Sequence, residues 1–130
     1  MPNILTSLIS KQTLKYGERA AFSFKAEPQG KWIDTSWNEF SRKVDMAACS
    51  LEILGMEPEA TVGVFSANRP EILITDFAAF ANRVVPVSIY STSSEEQVEY
   101  IVNDARINML FVGNEEQYHI CLLYTSDAAD

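Results

Sequence analysis

Apolar and polar positions along this chain predict strands and helices in alternation. The central stretch, residues 61–92, holds a β-branched and aromatic run at 61–66, an apolar segment at 72–81 and a second run at 84–89. Short runs of this kind are typical of buried strands. Two such strands joined by a crossover helix are parallel, so the stretch predicts a right-handed βαβ unit.

The central helix carries recognisable signals at both ends. Asn68 is expected to be its N-cap, because the side-chain oxygen can accept a backbone N–H of the first turn. Pro70 suits that first turn, where its missing N–H would have no partner. The segment 72–81 is apolar around nearly its whole circumference, which predicts a helix buried inside a layered fold. Asn82 is expected to close the helix in a left-handed conformation.

A helix and a β-hairpin are predicted before this unit. Apolar residues recur at helical spacing over residues 4–16, and Gly17 is a suitable end. Strands are predicted at 20–25 and 31–35, around a turn at 27–30. Ser36 and Glu39 have capping-box spacing and predict the start of a second helix, which Gly55 ends.

Another helix and strand are predicted after the central unit. Either Ser94 with Gln97 or Ser93 with Glu96 makes a capping box for a helix whose apolar stripe ends at Ala105. Residues 108–112 predict the next strand, which ends at residues 113–114. The fold class is therefore α/β: an N-terminal β-hairpin plus a partial layered domain with parallel βαβ units.

Composition limits the possible functions. The 130 residues allow one domain at most, and the apolar fraction of 47% is that of a globular protein. The formal charge of −8 disfavours nucleic acid and anionic lipid as partners. We find no signal peptide and no apolar run long enough to span a bilayer, so a cytoplasmic location is the expectation.

Single residues with reactive side chains have plain structural explanations. Cys49 lies in the second helix and is expected to be buried, and Cys49 with Cys121 makes neither a metal cluster nor a disulfide framework. His119 has no predicted partner. Residues 91–94 are rich in Ser and Thr but lack the Gly and Lys of a phosphate loop, so helix capping is the favoured interpretation.

Three charged residues of the central unit are weaker site candidates. Asp76 lies inside the apolar helix and is expected to be hydrogen-bonded to a neighbour, because a buried carboxylate needs partners. Arg69 and Glu71 flank Pro70 near the carboxyl end of a strand, the edge at which open α/β sheets bind ligands. Capping of the first turn and surface charge explain both more simply.

Three short segments carry a family resemblance. They are residues 66–71 (SANRPE), 87–92 (VSIYST) and 96–104 (EQVEYIVND). Together they resemble the N-terminal part of AMP-forming acyl-CoA synthetases, with long-chain fatty acid–CoA ligases the best match over residues 4–118. Residues 35–40 (TSWNEF) also resemble the first conserved motif of that family, to which we assign no catalytic role.

The resemblance implies an enzyme that needs ATP, Mg²⁺ and coenzyme A, and that converts a fatty acid first to an acyl-adenylate and then to a thioester. Such chemistry requires a phosphate-binding loop with a Lys, a carboxylate for Mg²⁺ and a further Lys. None of these motifs occurs between residues 1 and 114. We therefore assign no catalytic, cofactor-binding or metal-binding residue and expect this polypeptide to have no ligase activity. The resemblance leaves the oligomeric state and peripheral membrane association open.

The last ten residues depart from the family pattern. Residues 121–130 (CLLYTSDAAD) can be back-translated in one frame into DNA that resembles a transposase adapter from sequencing libraries. We expect residues 1–120 to be the N-terminal portion of an AMP-binding domain and residues 121–130 to be non-native, so that the natural protein continues. The alternative is an ordinary apolar strand followed by an acidic tail.

Two other functions stay open. One is a different adenylate-forming enzyme, acting on aryl, short-chain or amino acids. The other is a small non-catalytic α/β binding module, which predicts a self-sufficient sheet with covered faces. The fragment interpretation instead predicts a large exposed apolar patch.

Overall fold

The computed structural model describes the backbone of residues 4–129 and the side chains of residues 4–122. The helices are α1 (Ile4–Tyr16), α2 (Trp37–Ile53), α3 (Pro70–Ala81), α4 (Glu95–Asp104) and α5 (Glu115–Ala129). The strands are β1 (Ala20–Lys25), β2 (Trp32–Ser36), β3 (Thr61–Phe65), β4 (Val85–Ile89) and β5 (Met109–Val112). Among the described residues, no helix has both the length and the apolar character needed to cross a bilayer.

The chain divides into two compact units. The first comprises the residues up to Gly55 together with Arg69–Asn82, and the second comprises Met56–Asn68 and the residues from Arg83 onward. Helix α3 thus lies between β3 and β4 in the sequence but belongs to the first unit.

The first unit contains the predicted hairpin and three helices. Strands β1 and β2 pair antiparallel, and Gly30 N–H donates to the Glu27 carbonyl across the turn at 2.9 Å. Phe40 of α2 is 4% exposed and forms edge-to-face contacts with Phe22 and Phe77, with ring centroids 5.2 and 5.8 Å apart. This aromatic cluster joins the hairpin, α2 and α3. Aromatic pairs in this geometry stabilise a fold by more than their buried area alone would give.

The helix caps of the first unit differ in part from expectation. The Ser36 hydroxyl accepts the Glu39 backbone N–H at 3.1 Å, as predicted, while the Glu39 carboxylate lies 3.1 Å from Lys43 Nζ. The prediction of Asn68 as N-cap of α3 is wrong. Pro70 takes the first helical position, so Arg69 is the N-cap and has the extended conformation that a following proline favours.

The predicted left-handed end of α3 is also wrong at Asn82. Asn82 has φ −97°, and the left-handed residue is Arg83, with φ 59°. The side chain of Asn82 has a partner in another helix, the carbonyl of Ala48 in α2.

Two burial predictions for the first unit are wrong. Helix α3 is only partly covered: Ala78 and Ala79 are buried, but Leu73 is 41% exposed. Cys49 is exposed. It lies five residues beyond the buried Val44, which at 3.6 residues per turn places it off the buried face of α2.

The second unit is built on a parallel three-stranded sheet in the order β4-β3-β5. The parallel pairing of the two strands of the βαβ stretch is confirmed. The central strand β3 is the most buried, with Val62 and Phe65 both 0% exposed. Phe65 packs in one cluster with Ile89, Val98 and Cys121, which joins the sheet to α4 and α5.

The two helices that follow the sheet have side-chain caps. Ser94 and Gln97 form a complete capping box at the start of α4, so this pair, and not Ser93 with Glu96, caps the helix. Helix α5 was not predicted, and its backbone is helical through Ala129 where a strand and a tail were the alternative. Side chains after Leu122 lie outside the described residues, and the non-native origin of residues 121–130 stays a prediction.

Candidate functional site

The carboxyl ends of the three parallel strands form one edge of the second unit. Strands β3, β4 and β5 are parallel and end at Phe65, Ile89 and Val112. Open parallel sheets bind ligands outside this edge, so it is the first place to look for a site.

An open cleft of about 660 Å³ lies beside the segment that follows β4. Tyr90 and Tyr100 line it and are 78% and 69% exposed. We call it the carboxyl-edge cleft; its lining residues are Tyr90, Thr92, Ser93, Glu96, Gln97, Tyr100 and Ile101.

The charge of this region is negative. The carboxyl-edge cleft contains Glu96 and neither Lys nor Arg among its lining residues. A neighbouring depression of about 520 Å³ adds Glu99 and Asp104. A triphosphate would be repelled by these carboxylates, so the cleft does not fit the phosphates of ATP. Its two tyrosines and the apolar side chain of Ile101 instead suit an uncharged group.

Gln117 is a buried polar side chain that connects the loops at this edge. It is 4% exposed, and its Oε1 accepts the Gly113 backbone N–H at 3.1 Å. Its Nε2 donates to the Ser91 carbonyl at 3.1 Å, and its own backbone N–H donates to Asn114 Oδ1 at 2.8 Å. The side-chain amide therefore joins the end of β5 to the segment after β4.

Gly113 provides the space for this arrangement. A Cβ atom at Gly113 would overlap with the Ser66 hydroxyl oxygen and would lie 2.9 Å from Gln117 Oε1. The Gly113 N–H also donates to the Phe65 carbonyl at 2.9 Å. A glycine is needed here because any side chain would displace either the residue after β3 or the amide of Gln117.

The Ser- and Thr-rich segment 91–94 serves helix capping, as predicted. Ser94 accepts the Gln97 backbone N–H, and the Ser94 N–H donates to Gln97 Oε1 at 2.9 Å. The Ser93 N–H donates to the Tyr90 carbonyl at 3.0 Å and closes a tight turn. These bonds use the donors that a phosphate loop would offer to a ligand.

Asp76 differs from expectation. It is partly buried in α3, and no hydrogen-bond or ionic partner for its carboxylate is found among residues 4–122. The expectation that a neighbour satisfies it is wrong within this part of the chain. Burial raises the pKa of Asp76 above its usual value, because desolvation disfavours the charged form.

Arg69 and Glu71 lie at the start of α3. Arg69 is the N-cap residue, with no capping bond from its side chain, and Glu71 is exposed in the first turn. A negative charge near a helix N-terminus is favourable, which accounts for Glu71 without a ligand. Their role in lining a site stays a prediction.

The remaining candidates have structural roles. Cys121 is buried in the core of the second unit, and burial raises its pKa, so the thiol stays protonated near neutral pH. His119 Nε2 lies 3.5 Å from Glu115 Oε1 on the exposed surface of α5. No group of three metal-ligating side chains is present in the described part of the chain.

Sequence reasoning missed Gln117, although a signal was present. Asn114 and Gln117 stand three residues apart before an apolar segment, the same spacing as Ser94 and Gln97. The same two residues, Gly113 and Asn114, also fit the end of a strand, which is the role predicted for them above. The contact of Gln117 with Ser91 spans 26 residues and has no local signal.

Comparison with known proteins identifies relatives for most of the chain. The family model described as "AMP-binding enzyme" matches residues 9–129. Fatty acyl-CoA synthetase B of Dictyostelium discoideum is 33% identical over 109 residues, covering 81% of this chain and 16% of that protein. Long-chain-fatty-acid–CoA ligase ACSBG1 of Bos taurus is 30% identical over 116 residues, covering 89% of this chain and 16% of that protein.

Solved structures support the same fold. The crystal structure of a long-chain-fatty-acid-CoA ligase (FadD1) from Archaeoglobus fulgidus matches with a TM-score of 0.78 and 24% identity, over 89% of this chain and 24% of that one. An artificially fused adenylation–PCP di-domain from Klebsiella oxytoca (NpsA–ThdA) matches with a TM-score of 0.76 and 16% identity, over 87% of this chain and 20% of that one. At these identities the likeness concerns the fold alone.

Proposed function

Because this chain belongs to the family of AMP-binding enzymes, we propose that its parent protein is an AMP-forming long-chain fatty acid–CoA ligase. The observation that carries the proposal is the family match over residues 9–129 together with relatives that bear the names of fatty acyl-CoA synthetases and ligases. The chain spans 16% of the length of each of the two relatives described above, so the activity belongs to the parent.

The proposed reaction has two steps. A fatty acid carboxylate oxygen attacks the α-phosphorus of ATP, and the bond to pyrophosphate breaks to leave an acyl-adenylate. The thiol of coenzyme A, losing its proton, then attacks the acyl carbon, and AMP leaves. We propose ATP, Mg²⁺, coenzyme A and a fatty acid as the requirements of the parent, with a cytoplasmic location.

In this proposal residues 1–120 are a scaffold and contribute no catalytic residue. The acidic, cation-free lining of the carboxyl-edge cleft supports this view, because ATP phosphates need positive charge around them. Large exposed apolar side chains on α1 and α2, among them Leu14 at 90% and Ile53 at 84%, support a surface that other parts of the parent cover.

The experiment that tests the proposal is ATP–pyrophosphate exchange by the parent protein with a panel of acids. A long-chain fatty acid, a short-chain acid, an aryl acid and an amino acid are compared at equal concentration, and acyl-CoA formation is then followed with coenzyme A. We expect exchange with the long-chain acid and none from the 130-residue chain alone. Preferential exchange with an aryl or amino acid would assign another adenylate-forming enzyme, and exchange by the short chain would refute the scaffold role.

A further inference from the structure

We propose that Gln117 is a positioning residue that fixes the wall of the carboxyl-edge cleft by holding the segment 90–94 against the end of β5. The proposal names no catalytic contact for Gln117, which acts through Ser91. Only its last consequence, an effect on substrate binding by the parent, rests on the function proposed above.

The side-chain amide of Gln117 accepts one hydrogen bond and donates another, a combination that few side chains could make. Its Oε1 accepts from the Gly113 N–H at 3.1 Å while its Nε2 donates to the Ser91 carbonyl at 3.1 Å. A primary amide is both donor and acceptor, whereas a carboxylate only accepts and an ammonium only donates. At 4% exposure, solvent cannot easily replace either partner.

The anchored carbonyl belongs to a residue that lies between lining residues of the cleft in the sequence. Tyr90, Thr92 and Ser93 line the carboxyl-edge cleft, and Ser91 between them is the residue that Gln117 holds. The segment is fixed at one end by the pairing of Ile89 in β4 and at the other by the Ser94 capping box. Without the Gln117 bond, the turn between them would depend on the Ser93 N–H bond to the Tyr90 carbonyl.

Residue 113 has no side chain, and this also supports a positioning role for Gln117. A Cβ at Gly113 would stand 2.9 Å from Gln117 Oε1 and would overlap with the Ser66 hydroxyl. The edge is therefore shaped to admit the Gln117 amide between the ends of β5 and β4. A residue that merely filled space would not require both a donor and an acceptor at these positions.

The substitution Gln117→Glu separates the two bonds. The introduced carboxylate keeps the size and the acceptor for the Gly113 N–H but loses the donor to the Ser91 carbonyl. Amide hydrogen exchange in the 130-residue chain measures the consequence at single residues. We expect the protection of Ser93 to fall about tenfold near pH 7 while that of Gly113 is kept, because opening is local to the segment.

Lowering the pH should restore the protection of Ser93 in the Gln117→Glu variant, which a general loss of stability would not do. Burial raises the pKa of an introduced carboxyl group above about 4.3, so lowering the pH toward 4 protonates it and restores a donor. Protection of Ser93, corrected for intrinsic exchange rates, should then recover. Gln29→Glu is the matched control, since it introduces the same charge at an exposed turn of the other unit and should leave Ser93 unchanged.

The outcomes decide the proposal in each direction. Selective and acid-reversible loss of protection at Ser93 supports it. Unchanged protection at Ser93, or an equal loss at Ser93 and Gly113, overturns it. If Gln117→Glu does not fold, Gln117→Met in the same assay decides, because it removes the whole amide without introducing charge, while the Gly113 N–H keeps its bond to the Phe65 carbonyl. Loss at Ser93 then supports the proposal and its absence overturns it.

The same substitution in the parent protein tests the consequence for the cleft. We expect the KM for at least one of ATP, the fatty acid and coenzyme A to rise about fivefold, with kcat nearly unchanged. This pattern is typical of the loss of an interaction that binds the ground state and the transition state equally well. An unchanged KM overturns the role in substrate binding. A wild-type parent with no ligase activity would refute the proposed function, while the exchange result would still decide whether Gln117 positions the segment.

Discussion

The side-chain amide of Asn82 donates a hydrogen bond to the backbone carbonyl of Ala48 at 2.6 Å and ties the end of α3 to the middle of α2. The two residues lie 34 positions apart in the sequence. Asn82 has a negative φ of −97°, and the left-handed residue is Arg83, the next along the chain. A residue that looks like a local cap acts here as a connection between two helices.

Replacing Asn82 by Ala should destabilise the first unit. Loss of the partly buried bond to Ala48 is expected to lower the free energy of unfolding by about 1 kcal/mol. Both tryptophans, Trp32 and Trp37, belong to this unit, so their fluorescence in a urea titration reports it. Asn82→Asp, which keeps the size but not the donor, should cost at least as much; an unchanged midpoint for both variants would contradict this role.

Replacing Gly63 by Ala should strain the sheet of the second unit. The added Cβ would lie 2.8 Å from both Ile107 Cδ1 and Leu110 Cδ1, and overpacking of this kind costs about 1–3 kcal/mol. Thermal unfolding followed by circular dichroism measures the effect. Adding Ile107→Val to the variant removes one of the two overlapping methyl groups and should recover part of the loss, whereas simple additivity of the two changes would argue against steric overlap.

Removing the hydroxyl of Ser94 should weaken α4. Ser94→Ala loses the capping bond to the Gln97 N–H and is expected to cost about 1 kcal/mol, while Ser94→Gly should cost only about a few tenths. The comparison is informative because both variants remove the hydroxyl, but glycine leaves the backbone N–H groups open to water. Urea midpoints measured for the two variants in parallel should therefore differ, and equal midpoints would count against capping as the role of Ser94.

Removing the charge of Asp76 should stabilise the first unit at neutral pH. Because burial raises the pKa of Asp76 in the folded state, the carboxyl binds its proton more tightly there than in the unfolded chain. Its contribution to stability is then present at low pH and is lost as pH rises from about 3.9 through the raised folded value.

The variant Asp76→Asn does not titrate, so its advantage over the wild type should be larger at pH 7 than at pH 3.5. Urea titrations at the two pH values, followed by tryptophan fluorescence, measure this difference. Asp45→Asn, on the exposed side of α2, controls for the removal of one negative charge. An advantage for Asp76→Asn that does not depend on pH would mean that desolvation is not the cause.

Local patterns predicted the secondary structure well where the signal is within a few residues. The hairpin turn at Glu27–Gly30, the Ser94 capping box and the parallel pairing of β3 with β4 all follow from neighbouring residues or from the length of the crossover. Helix α5 is not among the predicted elements because Asn114 also fits the end of a strand, although its spacing to Gln117 is that of a cap.

Features that depend on distant partners were not predictable. Asn82 and Gln117 resemble ordinary loop and helix residues until the carbonyls of Ala48 and Ser91 are placed beside them. Whether Asp76 has a partner is likewise decided by what the fold brings near α3. The carboxyl-edge cleft follows in position from the rule for parallel sheets, but its acidic character depends on which face of α4 turns toward it.

The measurement that tests the central claim most directly is the sequence of the native DNA downstream of codon 120. If this chain is the beginning of an AMP-forming long-chain ligase, the reading frame continues and encodes a loop rich in Gly, Ser and Thr that contains a Lys, the phosphate-binding element that residues 1–114 lack. Native DNA that instead encodes residues 121–130 and then stops would contradict the account.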